Sequence, residues 1–270
     1  MKKKSVPPET ASLRGKRIAI TRNRDRNSAL TRMLRDCGAE VLDLPLIRIV
    51  PEENAVAREE VFLEFGSYEW LVFTSRNGVE HFFKQFFERF EDIRALGLTR
   101  LAAIGAATAE ALRRLHLKVD VVPEKASAES LADALTAYGS MDNLRVLVVT
   151  GNRNRKTLAN KLEAARAIVD TLQVYRTEKS DLRDDATAQS FRKEGADAIL
   201  FASASAVQSF VDQAGVLQLE PSAHRPLGCS IGPLTSETMR ATGIPVDVES
   251  PEASLRSLVT AVAQRLANDR

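Results

Sequence analysis

WLVFTSRNGVEHFF at residues 70–83 is repeated, loosely but in register, by AILFASASAVQSFV at residues 198–211. In each copy a short apolar run meets a small polar segment, and apolar residues at helical spacing follow, so each predicts strand, loop and helix. Phe73 matches Phe201, Ser75 matches Ser203, Val79 matches Val207 and Phe82 matches Phe210, all at an offset of 128 residues. That period is far longer than a solenoid repeat. It predicts a duplicated lobe.

Further matches extend the duplication. Ile104, Gly105 and Thr108 of AAIGAATAEAL recur as Ile231, Gly232 and Thr235 of CSIGPLTSETM, and Val119-Asp120-Val121 recurs as Val246-Asp247-Val248. Ser130-Leu131 answers to Ser254-Leu255 if a small deletion is allowed. VVTGNRNR at 148–155 has its partner near the start, in AITRNRDR at 19–26. The outer lobe is therefore expected to be discontinuous, residues 15–44 with 178–270, and the middle lobe, 51–171, to be inserted into it. The chain must cross twice, through 45–50 and 172–177, and two extended segments side by side would make a narrow hinge. Residues 1–14 are expected to be a disordered tail.

The chain has 270 residues, 44% apolar and 27% charged, with a net charge of +2. This is the composition of a globular protein with room for two cores. The near-neutral charge argues against a nucleic-acid binder, and no apolar run nears the ~20 residues of a membrane span. Lys2, Lys3 and Lys4 are not followed by the apolar stretch of a signal peptide. Two cysteines, Cys37 and Cys229, make no disulfide framework, so a reducing cytoplasm is the expected compartment.

Strands are expected at 16–21, 41–44, 71–73, 100–104, 119–122, 145–150, 168–172, 198–202, 227–231 and 246–248. Helices alternate with them. The fold class is thus α/β, two similar doubly wound lobes with mainly parallel, flavodoxin-like sheets.

Ligands of such sheets lie beyond the carboxyl ends of the strands, where helix N-termini point their amides outward. The rule selects Thr21 and Arg22, Thr74, Ser75 and Asn77, Gly105 and Thr108, Thr150 and Gly151, Ser203 and Ser205, and Gly232 and Thr235. Any one Ser or Thr there is more often an ordinary helix cap. Six such loops on equivalent sides of two lobes favour an anion-binding cleft. Arg22, Arg24 and Arg26, with Arg153, Arg155 and Lys156 in the duplicate, would serve a polyacid, and would serve equally as a solvated face. His81, His116 and His224 lack metal-ligand spacing, so no metal is expected. Nucleophile-elbow, phosphate-loop and dinucleotide motifs are absent from the sequence. Tyr175 lies in the second crossing, where a phenol could face the cleft or pack between lobes.

GKRIAITR, WLVFTSRNGV, AAIGAATAEAL, Val174-Tyr175-Arg176-Thr177, FASASAV and CSIGPLTSETM, in this order over residues 15–258, resemble the uroporphyrinogen-III synthase family. Arg166 departs from the pattern where a turn like Gly38-Ala39 is expected, and Asn23 stands where the family often has proline. The resemblance implies two α/β lobes joined by a two-stranded ladder, no cofactor, and a linear tetrapyrrole, hydroxymethylbilane, as substrate. The implied reaction is dehydration and ring closure with inversion of the last pyrrole. It also implies Tyr175 as the acid that assists hydroxyl departure. A monomer is expected, and a transient contact with hydroxymethylbilane synthase is compatible with this reading. The rival reading is a two-lobed anion or tetrapyrrole sensor without turnover.

Overall fold

Trp70–Phe73 is buried along its whole length in the computed structural model, which describes residues 12–21, 29–153 and 156–268. The strands are β1 (Arg17–Ile20), β2 (Glu40–Asp43), β3 (Ile47–Pro51), β4 (Trp70–Phe73), β5 (Arg100–Ala103), β6 (Arg145–Gly151), β7 (Ile168–Lys179), β8 (Ala198–Phe201), β9 (Leu227–Ser230) and β10 (Val248–Glu249). The helices are α1 (Ala29–Asp36), α2 (Ala55–Leu63), α3 (Arg76–Arg89), α4 (Ala106–Arg114), α5 (Ala128–Tyr138), α6 (Thr157–Ala164), α7 (Ala186–Glu194), α8 (Ala204–Val211), α9 (Pro233–Ala241) and α10 (Leu255–Ala267).

Two compact units result. One comprises the chain up to Arg48 and from Lys179 onward, the other Ile49–Glu178. The first holds a sheet of order β10-β9-β8-β1-β2, and the second a sheet of order β3-β7-β6-β4-β5. Numbered within its unit, the first is the flavodoxin order 2-1-3-4-5. The second repeats it in permuted form, with β6, β7, β4 and β5 standing for β1, β2, β8 and β9. These neighbours pair in parallel in both sheets.

Parallel strands need apolar residues on both faces, because helices cover both. Alternate residues of β4 divide accordingly. Leu71 and Phe73 join Phe82, Phe83, Phe86 and Leu112 in one core, while Trp70 and Val72 join Leu131, Leu135, Leu158 and Leu162 in another. The outer unit does the same: Leu200 packs with Leu30, Leu34 and Leu258, and Ile199 and Phe201 pack with Phe191, Val207 and Met239.

Three side-chain devices occur in both units. Asp197 accepts from the Arg17 amide (2.8 Å) as Glu69 accepts from the Arg145 amide (2.6 Å), each extending a strand pair by one bond. Asp120 accepts from Leu101 N–H (3.0 Å) and Asp247 from Gly228 N–H (2.7 Å). Ser75 and Ser203 cap α3 and α8 through the amides of Gly78 and Ala206. A proline explains one departure from expectation. Residues 119–122 form a single bridge, Val121 to Ala102, in place of a strand. Pro123 has no N–H to continue the ladder, whereas its counterpart Ser250 donates to Ser230 O (3.0 Å) and β10 forms.

Other expectations are corrected similarly. Ser127 and Ser254 both cap their helices, α5 and α10, so the repeat aligns Ser127 with Ser254 without any deletion. Several helices start earlier than their apolar spacing suggests, at Arg76, Ala106, Ala204 and Pro233, directly after the strand-end loops. Residues 168–172 and 172–177 are one continuous strand, β7. Leu13, expected in the tail, is fully buried and its amide donates to the Cys37 carbonyl (2.9 Å), while residues 1–11 lie outside the described residues.

The crossing segments β3 and β7 lie side by side. Glu52 N–H donates to Val174 O (3.1 Å) and Ser180 N–H to Leu46 O (3.1 Å), a register that fits only an antiparallel pair.

Candidate functional site

In a flavodoxin-order sheet the ligand crevice opens where successive connections leave in opposite directions. In the middle unit that point falls between β6 and β4, and their carboxyl-end residues meet there. The Thr74 amide and hydroxyl both donate to Val149 O, at 3.2 and 3.0 Å. A pocket of about 260 Å³ opens at this place, lined by Thr74, Ile104, Ala128, Thr150, Gly151, Arg153, Leu158 and Tyr175.

Tyr175 reaches it through an irregularity. Along β6 and β7 the register runs to Thr150 opposite Gln173 and then slips, placing Gly151 opposite Tyr175. Such a bulge re-aims a side chain, and bulges collect beside active sites. The phenol ring lies directly over Gly151. A Cβ there would stand 2.6 and 2.9 Å from the ring's Cε2 and Cε1, so any side chain would displace the ring. Its hydroxyl is 3.0 Å from Ser75 Oγ, which also caps α3 by accepting from Gly78 N–H at 2.9 Å. The His81 imidazole stacks on the phenol, centroids 5.7 Å apart and planes 27° from parallel. Asn152 binds the backbone of Thr177 through both amide atoms, accepting at 2.9 Å and donating at 3.3 Å, and so ties the loop after β6 to β7.

Of the residues selected from sequence, Thr74, Ser75, Thr150, Gly151 and Tyr175 are thus together. Asn77 and Gly105 flank them, in the first turn of α3 and at the cap of α4. Thr108 is buried, 4% exposed, on the inner side of α4. In the outer unit Thr21 donates to Leu200 O (3.3 Å), Ser203 and Ser205 share a hydrogen bond (3.0 Å), Gly232 caps α9, and Thr235 is buried. Arg22 and Arg155 lie outside the described residues. The sequence reading missed His81, because a stack between α3 and β7 leaves no local signal.

Burial is the main cause that lowers the His81 pKa from the usual 6.5; Glu80 opposes the shift and Lys84 adds to it. The ring is therefore neutral near pH 7. Among the described residues no group of three or more His, Cys, Asp or Glu could hold a metal, and no helix is long and apolar enough to cross a membrane. The arrangement can donate one phenolic proton beside a set of amides, hydroxyls and Arg153 suited to carboxylates.

A family model described as uroporphyrinogen-III synthase HemD matches residues 28–260. The chain belongs to the uroporphyrinogen-III synthase family. Its sequence is 30% identical to a uroporphyrinogen-III synthase of Synechococcus elongatus, over 93% of this chain and 95% of that one. It is 27% identical to a porphyrin biosynthesis protein HemD of Ruminiclostridium josui over 76% of this chain, and covers 41% of that longer protein. In fold it resembles a mutant uroporphyrinogen III synthase from Thermus thermophilus, with a TM-score of 0.60 and 19% identity, over 93% of this chain and 99% of the other. The two α/β sheets expected from the repeat are thus those of the family's solved structures.

Proposed function

We propose that this chain acts as the cyclising lyase its family describes, converting hydroxymethylbilane to uroporphyrinogen III in tetrapyrrole biosynthesis. The observation that carries the site assignment is the Tyr175 phenol, re-aimed by a bulge, seated on Gly151 and hydrogen-bonded to Ser75 at the sheet's switch point.

The substrate's terminal hydroxyl leaves as water, taking a proton from the Tyr175 phenol, and an electrophilic methylene remains on the first ring. Left alone, the bilane closes through the free carbon of its last ring. The enzyme must instead hold the curl in which the substituted carbon attacks, giving a spiro intermediate. The bond from that carbon to the neighbouring ring's methylene then breaks, and the free carbon closes on the methylene. The proton lost from the free carbon restores the phenol, so the net change is loss of one water. Selection between two nearby carbons is a matter of orientation, which binding of remote carboxylates supplies. In the middle unit the first-turn amides of α3, at Arg76 and Asn77, and of α4, at Ala106 and Ala107, with the Arg153 guanidinium, are the groups suited to those carboxylates. Charge-assisted bonds of this kind are the stronger class.

The protein is further proposed to work in the cytoplasm as a monomer, with no cofactor, and to receive its unstable substrate in transient contact with hydroxymethylbilane synthase. The decisive test is to mix the chain with fresh hydroxymethylbilane and resolve the type III isomer from type I. Formation of type III supports the proposal. Tight binding with type I alone identifies a tetrapyrrole-binding protein instead. Within the enzyme reading, Tyr175→Phe is expected to lower kcat about tenfold to a hundredfold, at or below the low end for general acid catalysis. Wild-type turnover in that variant would remove Tyr175 from the role.

A further inference from the structure

The phenol of Tyr175 is held on three sides. Gly151 closes one side of the ring, the Ser75 hydroxyl holds its oxygen, and His81 stacks on its π-surface, while the pocket takes the remaining side. Two of these residues, Ser75 and Gly151, lie in strand-end loops selected from the sequence. His81 is different, because α3 is otherwise a phenylalanine helix: Phe82, Phe83, Phe86 and Phe87 follow it, and the first three are buried. At the one position of α3 whose ring stacks on Tyr175 the residue is a half-buried imidazole.

We propose that His81 is a positioning residue for the family reaction, its imidazole fixing the plane of the Tyr175 ring so that the phenol oxygen stays beside Ser75. The proposal rests on the reading of Tyr175 as proton donor. A stacked, near-parallel ring directs its nitrogens along its own plane, away from the phenol, so His81 passes no proton to it. What the stack supplies is restraint. A Tyr side chain on an irregular strand has rotational freedom about its first side-chain bond, and a phenol turned away by one rotamer no longer reaches the departing hydroxyl. Burial keeps the imidazole neutral, so it adds no fixed charge against the ring.

Four full-length variants test this: His81→Ala, His81→Leu, His81→Phe and Tyr175→Phe. Each is assayed for kcat, KM and type III share, and by NMR of ring-labelled tyrosine. The protein has three tyrosines, and the Tyr175 signal is the one that Tyr175→Phe removes. His81→Ala and His81→Leu are expected to lower kcat about threefold to tenfold with KM within twofold, and to move the Tyr175 ring signal toward its unstacked position. His81→Phe, which restores a stacking ring, is expected to recover kcat within twofold and to keep a displaced signal. If alanine prevents folding, leucine, which keeps bulk without a π-surface, decides the question. Wild-type kcat and an unmoved signal in the alanine or leucine variant would overturn the proposal, as would a phenylalanine variant as slow as alanine. If Tyr175→Phe keeps full turnover, the proton-donor reading falls by itself, and the NMR arm still reports whether His81 holds the ring.

Discussion

At the level of single residues, the missing side chain at Gly151 matters as much as the side chains around it. Gly151→Ala would set a methyl inside the space of the Tyr175 ring, and the ring, being at a strand bulge with a pocket beside it, is the part free to move. The expected outcome is a loss of kcat of at least tenfold with a fall in melting temperature of only a few degrees, checked by steady-state kinetics beside thermal unfolding. A variant whose melting temperature falls steeply but whose kcat stays wild-type below it would show the close approach to be structural. Ser75→Ala removes both a helix cap, about 1 kcal/mol, and the hydrogen bond to the phenol, so it should cost stability and rate together.

His81 gives a pH signature. Because the folded chain holds its pKa below the usual 6.5, the unfolded chain takes up the proton first as pH falls. The stability linked to this group is whole above about pH 6.5 and is lost below it, toward the folded pKa. Denaturant midpoints between pH 7 and 5 should therefore fall more steeply for the wild type than for His81→Phe. Parallel slopes would contradict the burial of the imidazole. Gly151 and Ser75 were legible from sequence as strand-end residues, since the strand-loop-helix pattern placed them. The stack and the bulge were not, because both depend on register between β6 and β7, which periodicity does not encode.

Among the elements, the two units end equivalent helices with the same backbone and different residues. After α1, Gly38 has φ +89°, with Gly38 N–H donating to Arg35 O and Ala39 N–H to Leu34 O. After α6, Arg166 has φ +67°, and the same two bonds run from Arg166 to Glu163 and from Ala167 to Leu162. The pair recurs after α9 and α4, with Gly243 at φ +79° and His116 at φ +60°. At these two helix ends the middle unit thus places side-chain-bearing residues in the left-handed region, where each costs roughly 1–2 kcal/mol. Part of that is returned by a less flexible unfolded chain. Arg166→Gly also gives up an exposed ion pair with Asp142 (3.1 Å), worth little. Arg166→Gly and His116→Gly are each expected to stabilise by about 0.5–1 kcal/mol, measured as denaturant midpoints at constant slope. Destabilisation in both would mean that the turns are unstrained. The departure of Arg166 from a Gly-Ala turn was visible in the sequence, and its backbone adopts the glycine geometry nonetheless. Helix starts were less legible, because the caps, Ser75, Gly105, Ser203 and Gly232, lie upstream of the first apolar residue that spacing detects.

For the whole molecule, the internal duplication was the strongest signal, since an offset of 128 residues survives where single motifs are weak. It located both sheets and the permutation between them. The middle unit has its own two cores, and its ends, β3 and β7, are adjacent antiparallel strands, the arrangement of an inserted domain. Residues 46–180 expressed alone are therefore expected to unfold cooperatively, with near-ultraviolet circular dichroism from the buried Trp70. A fragment with secondary structure but no such signal would show that the unit depends on the rest of the chain.

The insertion also fixes an order of events at the ribosome. β1 pairs with β2, which follows it within a few dozen residues, and with β8, which emerges 178 residues after Ile20. At the ordinary pace of synthesis that delay is roughly 10–35 s. Throughout it the nascent β1 keeps one open edge, and the inserted unit is completed while the first-made strands still wait for their partner.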